Sequence, residues 1–312
     1  MPLDRRGALA GLAAYVLWGL LTVYWHELHG LSSFGLIGQR IVWSTLLLGV
    51  IVTLTRRAGA LRAAFGRPAI VGRVLAAALL LSANWTTYVW AVTHDNVVET
   101  ALGYFIAPLG TVAIGVFLFH ERLSRAQAVA LAIAAGAVVV LTLDYGHVPG
   151  IALTLGLTWG LYGLIKRTVP LHPIESLTAE TVVLLPAAVA VVAIVESGDN
   201  SIRTTASGGQ LVLVLLAGAV TVVPLLLFAT AAPRVPFTIL GPLQYAVPTI
   251  NFVLGVAIYD EAMPGARVVG FGLVWIALVI FTIDSARAHR GARGLRRGDA
   301  AQGSAIELTI GR

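Results

Sequence analysis

Hydrophobic residues in this chain neither alternate with polar ones nor form narrow stripes. They fall in long runs broken by short polar loops, near residues 7–25, 34–55, 69–93, 98–119, 125–143, 149–168, 174–195, 210–232, 237–259 and 265–284. Each run is about twenty residues long, enough to cross the hydrocarbon core of a bilayer as α-helix. Helix suits that medium because it satisfies its own backbone groups where no water can. The pattern predicts ten transmembrane helices. Arg5 and Arg6 precede the first run as they would in a signal peptide. That run is long, carries Tyr15, Trp18, Tyr24 and Trp25, and ends without a small-residue cleavage pattern, so it reads as a retained helix.

Charge in the short loops sets the expected orientation. The residues before the first helix, the loops after the second, fourth, sixth and eighth, and the residues after the tenth form one set. It holds Arg5, Arg6, Arg56, Arg57, Arg62, Arg67, Arg73, Arg122, Arg125, Lys166, Arg167, Arg234, Arg287, Arg290, Arg293, Arg296, Arg297 and Arg312. The opposite loops hold only Arg203 and Arg267. Both ends of the chain are therefore expected in the cytoplasm, and one missed helix would scramble the asymmetry. Residues 285–312, rich in Arg, Gly and Ala, read as a basic, disordered cytoplasmic tail that either meets lipid headgroups or is simply solvated. Nucleic acid is not an expected partner.

The polar landmarks inside the runs repeat. Pro108/Pro248, Gly115/Gly255, Val116/Val256, Glu121/Glu261, Ala126/Ala266, Thr142/Thr282 and Asp144/Asp284 all align at one shift of 140 residues. Asn84–Ala91 meets Pro224–Ala231 at the same shift, and Trp18-Gly19 meets Trp159-Gly160 one residue off it. This reads as an internal duplication of five helices, residues 7–144 and 149–284. Because five is odd, the second unit is expected upside down relative to the first. Inverted repeats of that kind build many secondary transporters, with a substrate site near mid-membrane between the repeats.

Composition agrees and excludes some chemistry. Of 312 residues, 58% are hydrophobic and 12% charged, with a mean hydropathy of +0.87; a soluble domain carries about 25% charged residues. The formal charge of +6 is a topology signal, given where the arginines lie. With no cysteine there is no disulfide, thiolate metal site or cysteine nucleophile. There is no P-loop for ATP and no His-Glu-x-x-His metal motif. No cofactor or metal is expected.

Several strings together resemble a known family. They are Tyr15-Val-Leu-Trp-Gly-Leu, Gln39-Arg40-Ile-Val-Trp-Ser, Asn84-Trp85, Glu99-Thr-Ala-Leu-Gly-Tyr-Phe-Ile-Ala-Pro108-Leu, Glu121-Arg-Leu-Ser, Gly160-Leu-Tyr-Gly-Leu, Leu243-Gln-Tyr and Gly272-Leu-Val-Trp-Ile-Ala. The ordered series resembles the RarD branch of the EamA-domain family, in the drug/metabolite transporter superfamily, over almost the whole chain. The resemblance implies ten helices in two inverted EamA repeats, a bacterial inner membrane, and export or exchange of small metabolites or drugs. It also implies that the first to fourth and sixth to ninth helices line the pathway while the fifth and tenth brace it. Gln39 stands where the family pattern suggests His, which weakens any proton-linked role carried over to that position.

Ionisable residues inside a span are costly and are candidates for function. Arg40 lies in the second run, and the repeat places Glu180 opposite it. If both face a central cavity they could pair, or bind the two ends of a zwitterion; alternatively each snorkels to its own membrane face. Glu99 opens the fourth run, either as a helix-start carboxylate or as a cavity-edge acid, with Gly103 on its face allowing close approach. Asn84 and Tyr88 give the third helix a polar face, and Asn84 either bonds a neighbouring helix or meets a wet cavity. Tyr15, Trp18, Thr22 and Trp25 form a stripe in which Trp18 could line the cavity, while Tyr24 and Trp25 read as interface belt residues. Trp159, Tyr162, Tyr104, Gln244 and Asn251 complete the candidate lining, with Pro248 between the last two. Glu99, Glu180 and His94 are the proton-carrier candidates. Glu121, Glu261, Asp144 and Asp284 read as structural: the glutamates tying helix hairpins, the aspartates capping at the interfaces.

The leading expectation is a secondary transporter, exporter or exchanger, working by alternating access on an amino acid, another metabolite or an amphipathic drug, with protons as a candidate coupling ion. The alternatives are a non-transporting scaffold or sensor and, much more weakly, an intramembrane enzyme. Exact repeats look like scaffold. The mismatches Glu99/Ile239, Tyr104/Gln244 and Thr111/Asn251 are where an asymmetric solute would be read.

Overall fold

The computed structural model describes residues 5–107, 124–166, 168–198, 201–231, 243–284 and 287. Pro108, Thr111, Gly115, Val116, Glu121 and Ile239 lie outside these residues, as does the tail apart from Arg287. Twelve helices occur among the described residues: α1 Arg5–His26, α2 Ser33–Leu54, α3 Ala58–Phe65, α4 Pro68–Thr93, α5 Val97–Ala107, α6 Arg125–Tyr145, α7 Gly150–Lys166, α8 Pro173–Ser197, α9 Ile202–Thr205, α10 Gly208–Ala231, α11 Ala246–Ala257 and α12 Gly265–Asp284. Seven of them (α1, α2, α4, α6, α8, α10 and α12) are long and apolar enough to cross a membrane. The shorter apolar helices α5, α7 and α11 fall within the other three runs.

Helix starts follow local chemistry. Ser32 accepts from Gly35 N at the head of α2. Ser124 and Gln127 form a reciprocal capping box at α6. Pro68 and Pro173 stand at the first positions of α4 and α8, where a missing N–H costs nothing. The short α3, unforeseen in a loop read only for its arginines, packs Leu61 and Ala64 against Ile70 and Val74 of α4 and Ala179 of α8.

Polarity is distributed inside out relative to a water-soluble fold. Leu54 and Leu143 are 77% exposed, while Arg40 is 4% exposed and Glu180 wholly buried. The apolar exterior faces lipid. Polar groups turn inward, where each needs a partner.

The two halves of the sequence interleave. α1 packs against α10 and α11, and α2 against α8 and α10. α4 packs against α7 and α8. Val98, Ala101, Leu102 and Phe105 of α5 form a second core with α6 and with Phe271, Val274 and Ala277 of α12. Gly103 makes its close approach to α7: a Cβ there would lie 2.9 Å from Leu155 Cβ and 3.0 Å from Ala152 Cα.

α6 and α12 run antiparallel, held at both ends. Arg267 Nε, early in α12, donates to Asp144 Oδ2 at the end of α6 (3.0 Å). Ser124 Oγ, at the start of α6, donates to Asp284 Oδ2 at the end of α12 (2.8 Å). The duplicated aspartates thus each reach into the other half of the chain. Glu261 does the same: its two oxygens accept from Val97 N (2.6 Å) and Val98 N (2.9 Å) at the head of α5, so it ties the halves together instead of its own hairpin. Arg267 shares a surface cavity with Asp95 and Glu261, and α12 runs from there to Asp284. α1 ends on that same side, His26 stacking on Tyr259 of the cavity rim at 3.8 Å. Arg5 and Asp284 therefore lie on the opposite face together.

Candidate functional site

Arg40 is the centre of the buried polar network. It sits two turns into α2, where the helix is clasped between α8 and α10. Its Nε donates to Thr221 Oγ1 of α10 at 2.9 Å. The guanidinium carbon lies 4.0 Å from the centroid of Trp85 and 5.3 Å from that of Trp25, within reach of cation–π attraction to both. Among the described residues the terminal nitrogens make no hydrogen bond, and no carboxylate lies within ion-pair distance.

A second strand of the network runs beside it. Thr22 Oγ1 donates to Asn251 Oδ1 (2.7 Å), joining α1 to α11. Having one proton, Thr22 then accepts from the Tyr88 hydroxyl of α4 at 2.7 Å. Tyr104 of α5 donates to Asn84 Oδ1 at 3.3 Å, and its ring meets Tyr88 edge-on at 5.8 Å. Asn84 Nδ2 in turn donates to Leu155 O (3.1 Å) and Thr158 Oγ1 (2.9 Å) of α7. Asn84 is thereby fully engaged in bonding α4 to α7.

Three buried polar atoms in this region have no hydrogen-bond partner: Trp25 Nε1, Ser44 Oγ and Asn251 Nδ2. Trp25 is 1% exposed, and Ser44 and Asn251 are wholly buried. An unpartnered buried donor costs about 1–3 kcal/mol, so such a cluster marks a place prepared for something else.

The structure brings Arg40, Asn84, Tyr88, Tyr104 and Asn251 together, from four helices far apart in sequence. Trp18 lies one turn before Thr22 on α1, in a ring cluster with Tyr15 (5.5 Å) and Phe228 (5.7 Å). Trp159 is 40% exposed and touches Tyr104 edge-on at 6.4 Å, at the margin of the group. Gln244 is half-buried just before α11.

The carboxylates read as candidates have other partners. Glu180 Oε1 meets Lys166 Nζ at 2.5 Å and Ser176 Oγ at 3.0 Å, and its Oε2 accepts from Tyr162 at 3.1 Å. It is paired with Lys166, not with Arg40, and neither residue snorkels. Glu99 Oε1 accepts from Ile151 N (3.0 Å) and Ala152 N (3.3 Å), so its carboxylate closes the head of α7. It also lines the cavity of about 550 Å³ with Asp95, Asn96, His147, Asp260 and Arg267. His94 is exposed at the end of α4, stacked on Trp90 at 4.7 Å.

Sequence reasoning misplaced Trp25, which is not an interface belt residue but a buried neighbour of Arg40. Thr22 was visible only as part of an aromatic stripe. Thr221 gave no signal, since a lone Thr in an apolar run looks like any helix-packing residue.

Against this geometry, the model of the EamA-like transporter family matches the chain twice, over residues 5–143 and 149–283. The chain belongs to that family. Protein RarD of Streptomyces exfoliatus is 42% identical over 93% of this chain and 92% of its own. A Bacillus subtilis protein described as the uncharacterized transporter YojE is 34% identical over 93% and 97%. These place the chain in the RarD branch. A protein of known crystal structure superimposes with a TM-score of 0.56 at 19% identity, over 89% of this chain and 97% of its own, which supports the fold alone. The protein is a multi-pass membrane transporter of the drug/metabolite type in a bacterial inner membrane.

Proposed function

We propose that the protein is a secondary transporter that exports or exchanges small metabolites or drugs by alternating access, with the solute held at Arg40. In this reading residues 7–144 and 149–284 are two inverted five-helix repeats, both chain ends face the cytoplasm, and the chain crosses the membrane ten times. The observation that carries the proposal is the composition of the Arg40 network. Its side chains come from α1, α2, α4 and α5 on one side and from α7, α10 and α11 on the other. A group bound there touches both halves, so rocking one half against the other exposes it to either face. α6 and α12, bound to each other at both ends, contribute nothing to the network and serve as braces.

Coupling follows from the fate of the acids. Glu99 and Glu180 are committed to a helix head and an ion pair, and His94 sits outside the network. This favours exchange, or export down the solute's own gradient, over a dedicated proton relay. No residue grouping in the network supplies a nucleophile with its base, so transport is preferred to intramembrane catalysis.

The test begins with thermal stabilisation of purified protein by a broad panel of metabolites and drugs, followed by flux of the stabilising solutes in proteoliposomes. Flux that is saturable and absent from empty liposomes is expected. Stabilisation without flux for every solute would favour a scaffold or sensor.

A further inference from the structure

We infer that the Arg40 site takes a monoanionic carboxylate with an apolar body and has no place for an ammonium group. This rests on the proposed transport function and narrows it to a substrate class.

Charge comes first. Arg40 is 4% exposed and uses one of its five donors, on Thr221. Among the described residues nothing negative pairs with it. A cation held out of water without a counter-charge is strongly unfavourable, and the aromatic rings of Trp25 and Trp85 offset only part of that cost. The missing charge is one unit, which a monoanion matches. A dianion would replace an excess of one sign with an excess of the other.

Geometry comes next. With Nε committed to Thr221 and indole rings against the guanidinium, the terminal nitrogens remain, and their parallel N–H groups suit a planar pair of acceptor oxygens. The unpartnered Trp25 Nε1 is a donor only, and the amide nitrogen of Asn251 is another. Every vacancy in the cluster that has a fixed character asks for an acceptor.

The site also rejects the opposite charge. The Tyr24, Tyr88 and Tyr104 hydroxyls donate to Leu213 O, Thr22 and Asn84 respectively, and among the described residues no carboxylate stands beside them to pair with an ammonium. Glu99, Glu180 and Glu261 are engaged elsewhere. Around the charge the wall is apolar: Leu36, Ile37, Ile41, Tyr88 and Val89 belong to one packed cluster with Trp25.

The experiment uses the full chain, purified in detergent, with benzoate, benzamide, benzylamine, phenylalanine and phenyl phosphate as probes. Tryptophan fluorescence and thermal unfolding are followed against probe concentration. Benzoate is expected to bind saturably, with the other four at least about tenfold weaker, the order of one lost charged hydrogen bond. Arg40→Gln should abolish benzoate binding and Trp25→Phe, which removes one N–H, should weaken it about tenfold. The wild-type probe series stands on its own should Arg40→Gln not fold. Preference for phenylalanine that Arg40→Gln removes would overturn the exclusion of an ammonium group, and such a preference for benzylamine would overturn the carboxylate class; either would leave the site standing. Equal benzoate binding by wild type and Arg40→Gln would overturn the site itself. Binding of none of the five would overturn the class, while the flux panel judges the transport reading separately.

Discussion

The guanidinium of Arg40 rests 4.0 Å from the ring centroid of Trp85, so the indole face attracts the cation but supplies no counter-charge. The contact lets a positive charge persist inside the protein without neutralising it. A desolvated cation–π contact is worth about 2 kcal/mol. Replacing Trp85 with Leu should therefore lower the unfolding free energy by about 2 kcal/mol and weaken solute binding. Thermal unfolding in detergent, with and without a stabilising solute, reads both effects. Unchanged stability would show that Arg40 does not depend on the ring.

The approach of α10 to α2 is set by Gly218. A Cβ there would lie 2.5 Å from Trp43 O and 3.0 Å from Ser44 N, all backbone atoms that cannot rotate away. Thr221, the partner of Arg40, is three residues further along the same helix. Gly218→Ala should push α10 outward, break the Arg40–Thr221 bond and reduce transport severely while the protein still reaches the membrane. Gly272→Ala, where a Cβ meets nothing within 4 Å, is the matched control and should transport normally.

Much of the scaffold was legible because its signals are local. Run length located the seven long apolar helices, and Asp144 and Asp284 announced themselves by repeating. The site was half legible. Arg40, Asn84, Tyr88, Tyr104 and Asn251 stand out as polar residues in apolar runs, and the structure joins them. What sequence could not supply was partnership. Glu180 occupies the position that the repeat relates to Arg40, yet Lys166, the last residue of α7, reaches it first. Trp25 looked like a belt residue because it ends a helix, but the turn that follows α1 brings Leu28 and Leu31 into the same buried cluster. Both outcomes depend on helix packing, which residue type alone does not encode.

The Lys166–Glu180 pair separates structure from proton coupling. Glu180 is wholly buried and Lys166 24% exposed on its side chain. Removing one partner of a buried pair costs about 3 kcal/mol, whereas replacing both with neutral groups costs far less. Glu180→Gln should destabilise clearly, and Lys166→Met with Glu180→Gln should recover most of the loss. If the pair is structural, the double variant transports like the wild type. Loss of gradient-driven flux with full stability would make Glu180 a proton carrier.

Glu261 gives the fold a pH response. Burial pushes its carboxyl above the ordinary 4.5, against the hydrogen bonds from Val98 and Val97 that favour the charged form, and Asp95 adds to the rise. The folded protein therefore holds this proton more tightly than the unfolded chain does. That contribution is fully present below pH 4.5 and is lost as pH rises through the folded value. Glu261→Gln cannot titrate and should flatten this part of the stability profile above pH 4.5, measured by unfolding across a pH series. An unaltered profile would place the response elsewhere.

The central claim is that Arg40 holds the transported solute, and counterflow in proteoliposomes tests it most directly. Wild-type protein, Arg40→Lys and Arg40→Ala are reconstituted at equal, verified amounts and loaded with a solute shown to stabilise the wild type. Uptake of labelled solute should be rapid for the wild type, strongly reduced for Arg40→Lys, which keeps the charge but lacks the two-pronged edge, and at background for Arg40→Ala. Wild-type uptake by both variants would contradict the account.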